Sequence, residues 1–329
     1  MKRLPKYAVW TALALSSTIA ASTWAADVAD RYPNRPIRVV NPYAPGGVTD
    51  ITARTILPGV AQAWGQSVVI DNRPGAGTNI GTEIVVRSNP DGYTLLATTS
   101  AIATNPSFYP DLSFKANRDL APIVLMAETP GALAVQNALP AKSIGEFVTL
   151  ARQQPGKLTI ASAGTGTSTH LAIELFKVLA KIELVHVPFK GGGGGVAGVM
   201  GNQLHSIVTV LALVTPHHRA GRLRILAVTT PARSPIASDI PTFAEGGITG
   251  YEATWWVGMF APKATPAPIV QKWNAEVNRQ LRDPDVLERF KAAGLVARGG
   301  TDKAFAQQFE QDTQRWAALI KTAGISIQP

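Results

Sequence analysis

Short apolar blocks recur along the chain, and their period switches between two and about 3.6. The first block, Pro36–Tyr43, reads as a strand with Ile37, Val39 and Val40 as its apolar positions. A Pro/Gly turn follows, and the i, i+4 spacing of Ile56, Val60 and Trp64 predicts a helix from near Thr49. Pro58 inside it should kink or split the helix. Ser67–Asp71 is the next strand, then a loop, a helix around Gly81–Ser88, and a strand over Tyr93–Thr99. A second set of units predicts helices over Ser143–Gln153 and His170–Ala180. Its strands are Leu158–Ala163, Leu184–Phe189, His205–Val210 and Leu223–Thr229. The C-terminal part is helical: Ile269, Trp273, Val277 and Leu281 repeat at i, i+4. Asp283-Pro284 starts a further helix as N-cap and first helical proline. A last helix carries Phe305, Phe309, Trp316 and Ile320 as core positions.

This alternation predicts an α/β fold with largely parallel sheets. The 329 residues exceed one ordinary domain, and with 46% hydrophobic and 16% charged residues the chain can bury a sizeable core. No fixed repeat and no sharp composition break appears, which fits two lobes joined by two crossings of the chain.

The N-terminus stands apart. Lys2, Arg3 and Lys6 precede an apolar stretch, Tyr7–Ala21, that is too short to span a bilayer, and Thr23-Trp24-Ala25 offers a cleavage site. Residues 1–25 read as a secretory signal peptide cleaved after Ala25, rather than an uncleaved anchor. The expected location is the periplasm. The full chain carries a net charge of +9, and loss of the three basic signal residues leaves +6, with no basic run and no nucleic-acid footprint. There are no cysteines, so disulfides, thiolate catalysis and Cys-based metal sites are excluded.

Enzyme motifs fail in turn. The glycine run Gly191–Gly195 lacks the Gly-Lys-Ser/Thr that completes a phosphate loop, since Lys190 precedes it. Gly75-Ala76-Gly77-Thr78-Asn79-Ile80-Gly81 is one residue too long for a dinucleotide loop. No G-x-S-x-G elbow is present. None of His170, His186, His205, His217 and His218 shows H-E-x-x-H spacing, and for the adjacent pair His217-His218 surface or capping roles fit better than metal. The reading is a binding protein, not an enzyme, with no cofactor and no metal.

Two loop-to-helix junctions share one chemistry. Gly46-Gly47-Val48-Thr49-Asp50 and Gly164-Thr165-Gly166-Thr167-Ser168-Thr169-His170 are both rich in glycine and hydroxyls at a predicted helix start. Such ends present free amides and the positive end of the helix dipole, so an anion can bind without arginine. Plain capping by Thr49 or Thr169 explains either loop alone equally well. Two such loops in opposite lobes, both after strand ends, favour a ligand.

The blocks Asn41-Pro42-Tyr43-Ala44-Pro45-Gly46-Gly47-Val48-Thr49-Asp50, Asp71-Asn72-Arg73-Pro74-Gly75-Ala76-Gly77 and Asn89-Pro90-Asp91-Gly92-Tyr93-Thr94-Leu95-Leu96 continue with His186-Val187-Pro188-Phe189-Lys190-Gly191 and Gly221–Val228. Pro241–Glu245, Gly250–Glu252 and Trp256–Gly258 complete the series. Ordered along nearly the whole mature chain, they resemble the Bug (Bordetella uptake gene) family of extracytoplasmic receptors of tripartite tricarboxylate transporters. The resemblance implies a two-lobe, type II periplasmic-binding-protein fold with an interlobe ligand cleft. It places residues 26–126 and 253–329 in the first lobe and 127–252 in the second. It implies a small carboxylate ligand and a monomeric receptor that works with transporter membrane subunits or feeds a sensor; a periplasmic enzyme reusing the fold is the remaining alternative. By the same resemblance the ligand residues are Tyr43, Gly47, Thr49, Asp50, Ser100 and Asn105 in the first lobe. In the second they are Ser162, Gly164, Thr165, Gly166, Thr167 and His170. Asp50 has three open roles, with helix capping first, then orienting waters, then receiving a ligand donor.

The sequence departs from the family pattern at Gly194 and Gly198, where a proline and an aspartate are usual. It departs again around Thr209, Val210 and Leu211, where many members carry an aspartate. The lost acid disfavours a cationic or amino-acid ligand and opens the way to an aromatic or aliphatic acid. The glycine run is also expected to loosen the second lobe.

Overall fold

The computed structural model describes residues 31–109, 111–165, 167–189 and 191–322; the expected signal segment and Gly166 lie outside them. In chain order the first part contains β1 (Ile37–Asn41), α1 (Val48–Trp64), β2 (Val68–Asn72), α2 (Asn79–Val86), β3 (Thr94–Thr99), α3 (Ala101–Phe108), α4 (Ala116–Asp119) and β4 (Leu120–Thr129). The middle contains β5 (Gly131–Val135), α5 (Ile144–Gln153), β6 (Thr159–Ser162), α6 (Ser168–Ala180), β7 (Val185–Pro188), α7 (Gly192–Met200), β8 (Ser206–Val210), α8 (Leu211–Arg219) and β9 (Arg224–Val228). The last part contains β10 (Trp255–Pro262), α9 (Ala267–Gln280), α10 (Pro284–Ala292), β11 (Val296–Ala297) and α11 (Asp302–Thr322).

Two sheets result. One has the order β11-β4-β10-β3-β1-β2 and the other β7-β6-β8-β5-β9. Each is parallel where β/α units feed it (β1 with β2 and β3, β6 with β7 and β8) and antiparallel at the strands that leave or enter a lobe. β4 ends in the first sheet at Thr129 and β5 begins in the second at Gly131, so the chain crosses at Pro130. The expected boundary after residue 126 falls inside β4. The return crossing comes just before Trp255, where β10 re-enters the first sheet.

Strand alternation decides which face meets which helix. Ile37 and Val39 pack with Ile56 and Val60 of α1 and Trp273 of α9. Val40 and Leu96 face the other way, into a cluster with Trp256, Phe305 and Phe309. Pro58 neither splits α1 nor ends it. It sits on the exposed face together with Arg54, whose carbonyl would otherwise accept its missing N–H, so solvent can satisfy that group.

The last helix joins both lobes. Its Phe305 and Phe309 belong to the first-lobe cluster, whereas Trp316, Leu319 and Ile320 complete the second-lobe core around Leu171 and Phe176. Three side chains of the 253–329 segment, which the resemblance groups with the first lobe, thus pack on the second. Among the described residues no helix is long and apolar enough to cross a membrane.

The glycine run is helical, not loose. Gly192–Met200 forms α7, and a Cβ on Gly195 would stand 2.7 Å from Ile207 Cδ1 and 3.1 Å from Ala161 Cβ. Bare backbone lets this helix lie close against β6 and β8.

Candidate functional site: two loops at the crossing side of the sheets

β3 and β4 both run antiparallel to β10, so β1, β3 and β4 all end on the side where the chain leaves for the second lobe. β5 starts at that side and runs antiparallel to β8, which is parallel to β6, so β6 also ends there. The loops after β1 and β6 therefore open toward the same interlobe region, the usual place for a ligand in open α/β sheets.

In the first loop the N-cap of α1 is Gly47, extended at φ −77° and ψ 171°, with no side-chain cap. The first helical donor is Ile51 N, which bonds to Gly47 O at 2.9 Å. Among the described residues no side chain caps the first-turn amides of Val48, Thr49 and Asp50. Thr49 does not cap the helix: its hydroxyl is buried and has no hydrogen-bond partner among the described residues.

Asp50 acts as a clamp on this loop. Its carboxylate accepts from Gly46 N at 3.0 Å, Arg54 Nε at 2.8 Å and Asn72 Nδ2 at 3.3 Å. Burial raises its pKa, but the bonds from Arg54, Gly46 and Asn72 outweigh this and hold it below the ordinary value. The carboxylate thus folds the loop back on the helix, close to the capping role expected for it, and its charge is matched by Arg54. Asn72 also donates to Tyr43 O at 3.0 Å, tying the loop to the end of β2. The Tyr43 hydroxyl meets Thr99 Oγ1 at the end of β3, and burial keeps the phenol protonated by raising its pKa.

Ser100 is buried, and its N–H donates to Trp256 O at 3.0 Å, fixing the β3–α3 junction to β10. Asn105 is also buried, but its side chain is directed into the protein. Its amide donates to Gly77 O at 2.7 Å, Asn79 Oδ1 at 2.9 Å and Thr78 Oγ1 at 3.0 Å. It holds the turn where Gly77 and Thr78 take positive φ, so its influence on a ligand is through that turn.

The second loop is organised differently. Thr167 caps α6, accepting from His170 N and donating to Gly164 O at 2.6 Å. Thr169 Oγ1 accepts from Ala163 N at 2.9 Å, and Ser162 Oγ accepts from Gly164 N at 3.1 Å. Capping is therefore realised here and absent from the first loop. The hydroxyls of Ser162, Thr167 and Thr169 shape the backbone around Gly164, which takes φ +141°. Thr165 lies in the turn between them; Gly166 is outside the described residues.

Behind this loop, His170 and His186 stack at 4.0 Å between ring centroids and 8° between planes. His186 Nε2 lies 2.7 Å from Ser162 Oγ, and His170 Nε2 lies 3.7 Å from Glu174, which pairs with Lys177 at 2.8 Å. Burial, then the neighbouring His170 and Lys177, lower the His186 pKa to about 4; burial also lowers that of His170. Both rings are neutral at pH 7, so this pair offers no fixed positive charge. His186, Asn72 and Thr99 are not among the expected ligand residues. His186 and Asn72 stand in the blocks that carry the family resemblance, and Thr99 is marked only as the polar end of β3. Among the described residues no group of three His, Asp or Glu side chains could hold a metal ion.

The arrangement can hold an anion by backbone amides on a helix end, with neutral polar side chains behind it. Known proteins resemble this chain over most of its length. Residues 52–325 match the family described as tripartite tricarboxylate transporter family receptor, TctC. A protein of Pseudomonas sp. (strain P51), described by its place in the tcbD-tcbE intergenic region, is 37% identical over 95% of this chain and 93% of its own. BugT of Bordetella pertussis is 33% identical over 91% of this chain and 92% of its own. The solved structure of Rpa4515 of R. palustris with adipate superposes with a TM-score of 0.76 at 34% identity, covering 90% of this chain and 99% of that one. This chain belongs to the tripartite tricarboxylate transporter receptor family, as a Bug-type α/β receptor of two lobes.

Proposed function

We propose that the protein is a periplasmic receptor that captures a small carboxylate between its lobes and delivers it to the membrane subunits of a tripartite tricarboxylate transporter. The observation that carries this reading is the uncapped start of α1 on the Gly46-Gly47 loop, facing the interlobe region that the Gly164 loop also borders. A carboxylate there would accept from first-turn amides that no side chain caps and would sit at the positive end of the helix dipole. No catalytic step is assigned. Adipate in a 34% identical relative supports a carboxylate as the ligand class.

Tyr43, Gly47, Thr49 and Asp50 form or brace the first half of the site in this reading, with Ser100 and Asn105 fixing its neighbours. Ser162, Gly164, Thr165, Gly166, Thr167 and His170 form the second half. Contact with both halves favours the closed arrangement, which is the one presented to the transporter. A thermal-shift screen of the mature chain against mono-, di- and tricarboxylates and aromatic acids tests it. A ligand at 100 times its Kd should stabilise by about 2.7 kcal/mol. A response confined to neutral or cationic compounds would refute the carboxylate site.

A further inference from the structure

A cavity of about 730 Å³ lies behind the two crossings. Glu128, near the end of β4, and Glu252, just before β10, form its floor. The second lobe supplies the segment after β9 that contains Ser234, and the first lobe supplies α11 with Gln311, Asp312 and Arg315. In the first sheet, β4 and β10 separate β11, which also borders the cavity, from β3 and β1. In the second, β5 separates β9 from β8 and β6. The crossings thus stand between this cavity and the two loops of the interlobe site.

Its charges do not balance. Arg298 pairs with Glu128 at 3.0 Å. Arg315 is shared between Asp312 at 2.9 Å and Glu252 at 3.5 Å. Arg233 is also on the wall but pairs with Glu245 at 2.9 Å, which is not. Three carboxylates therefore share two guanidinium groups. Burial, and repulsion among these same acids, raise the pKa of Glu128 and of Asp312 against the pull of Arg298, Trp256 and Arg315. Ser234 is 2% exposed, and its hydroxyl has no hydrogen-bond partner among the described residues. Prolines 130, 231 and 235 and Val296 supply apolar wall beside these groups.

We propose that this cavity is a binding site, separate from the interlobe carboxylate site, for a small organic cation with an amine or guanidinium head and an apolar body. The head supplies the missing positive charge beside Glu252 and Asp312. The body covers the proline-lined wall. The size falls within the range of small-molecule pockets. Because the walls come from both lobes, an occupant bridges them, and its affinity depends on how far the lobes have rotated about the crossings.

The test is calorimetric titration of the whole mature protein with agmatine and with benzamidine, for the natural sequence and for Glu252→Gln, Gln311→Trp and Gln314→Trp. Glu252 and Gln311 are solvent-accessible, so both can change without opening the core. Gln314 is exposed on the same helix but does not line the cavity. Saturable binding of at least one cation is expected. Glu252→Gln and Gln311→Trp should each weaken it about tenfold or more, while Gln314→Trp leaves it unchanged. No saturable binding of either cation, or retained affinity in Glu252→Gln or Gln311→Trp, overturns the proposal. Melting curves of each variant separate loss of the site from loss of the fold.

Discussion

The Tyr43 hydroxyl and Thr99 Oγ1 are 2.5 Å apart, so the loop after β1 is fastened to the end of β3 by one hydroxyl pair. Thr99 Oγ1 also accepts from Ala101 N at 3.3 Å, at the start of α3. Tyr43→Phe should cost about 0.5–1.5 kcal/mol in urea unfolding, the usual net value of one hydrogen bond. It should weaken carboxylate binding beyond that stability loss, because the freed loop no longer presents the α1 amides in one place. Equal affinity for the variant and the natural protein would remove Tyr43 from the site.

Asp50 gives a prediction with a sign. Its folded pKa lies below the ordinary aspartate value, so its contribution is complete above the unfolded value and is lost as pH falls through the folded one. Asp50→Asn should destabilise at neutral pH by about 1–3 kcal/mol, since Arg54, Gly46 and Asn72 lose a charged acceptor. The same variant should show a shallower fall in stability on acidification below about pH 4. Denaturant melts at stepped pH check both effects.

His186 operates in a higher window. Its folded pKa is about 4 against 6.5 for the free group, so the unfolded chain binds the proton first. The stability due to the neutral ring is complete above pH 6.5 and is lost as pH falls from there toward 4. His186→Asn should flatten the stability curve across that range. An unchanged slope would mean that the stack with His170 does not exclude the proton.

Trp256 Nε1 donates to Asp312 at 2.7 Å, both side chains being buried. Trp256→Phe keeps an aromatic ring beside Phe305 and Phe309 but removes the donor from a buried carboxylate. A loss of about 1.5–3 kcal/mol is expected, read from the shift in urea midpoint.

The glycine helix offers a paired test. A Cβ on Gly193 meets nothing within 4 Å, so Gly193→Ala should stabilise by about 0.5–1 kcal/mol through helix propensity. Gly195→Ala drives its methyl into Ile207 and Ala161 and should destabilise by about 1–3 kcal/mol. Opposite signs two residues apart are the diagnostic result.

Much of this architecture could be read from sequence, because the strands that begin each β/α unit are bounded by glycine and proline. The pattern predicts no strand over Leu120–Thr129, although β4 lies between β10 and β11 in the first sheet. Its apolar run, Ile123 to Ala127, is buried on both faces, and such a run has no period to read. The two glycine-hydroxyl loops looked alike in sequence, yet Thr167 caps its helix and Thr49 does not. That difference depends on where the helix begins relative to the hydroxyl: Thr167 is the N-cap itself, whereas Thr49 stands two residues past Gly47. The resemblance makes Asn105 a ligand residue, but its partners, Gly77 to Asn79, are 26 to 28 positions away in sequence. The stacking of His170 on His186 likewise joins a helix and a strand that only folding brings together.

The last helix sets an order on how the molecule can be completed. The second lobe's own strands and helices end before β10, but Trp316, Leu319 and Ile320 are needed to close its core. A chain made from its N-terminus presents those three side chains only at the end. Until they arrive, the lobe synthesised first as a contiguous block keeps an open apolar face around Leu171 and Phe176, and any truncation ahead of Trp316 leaves it that way permanently.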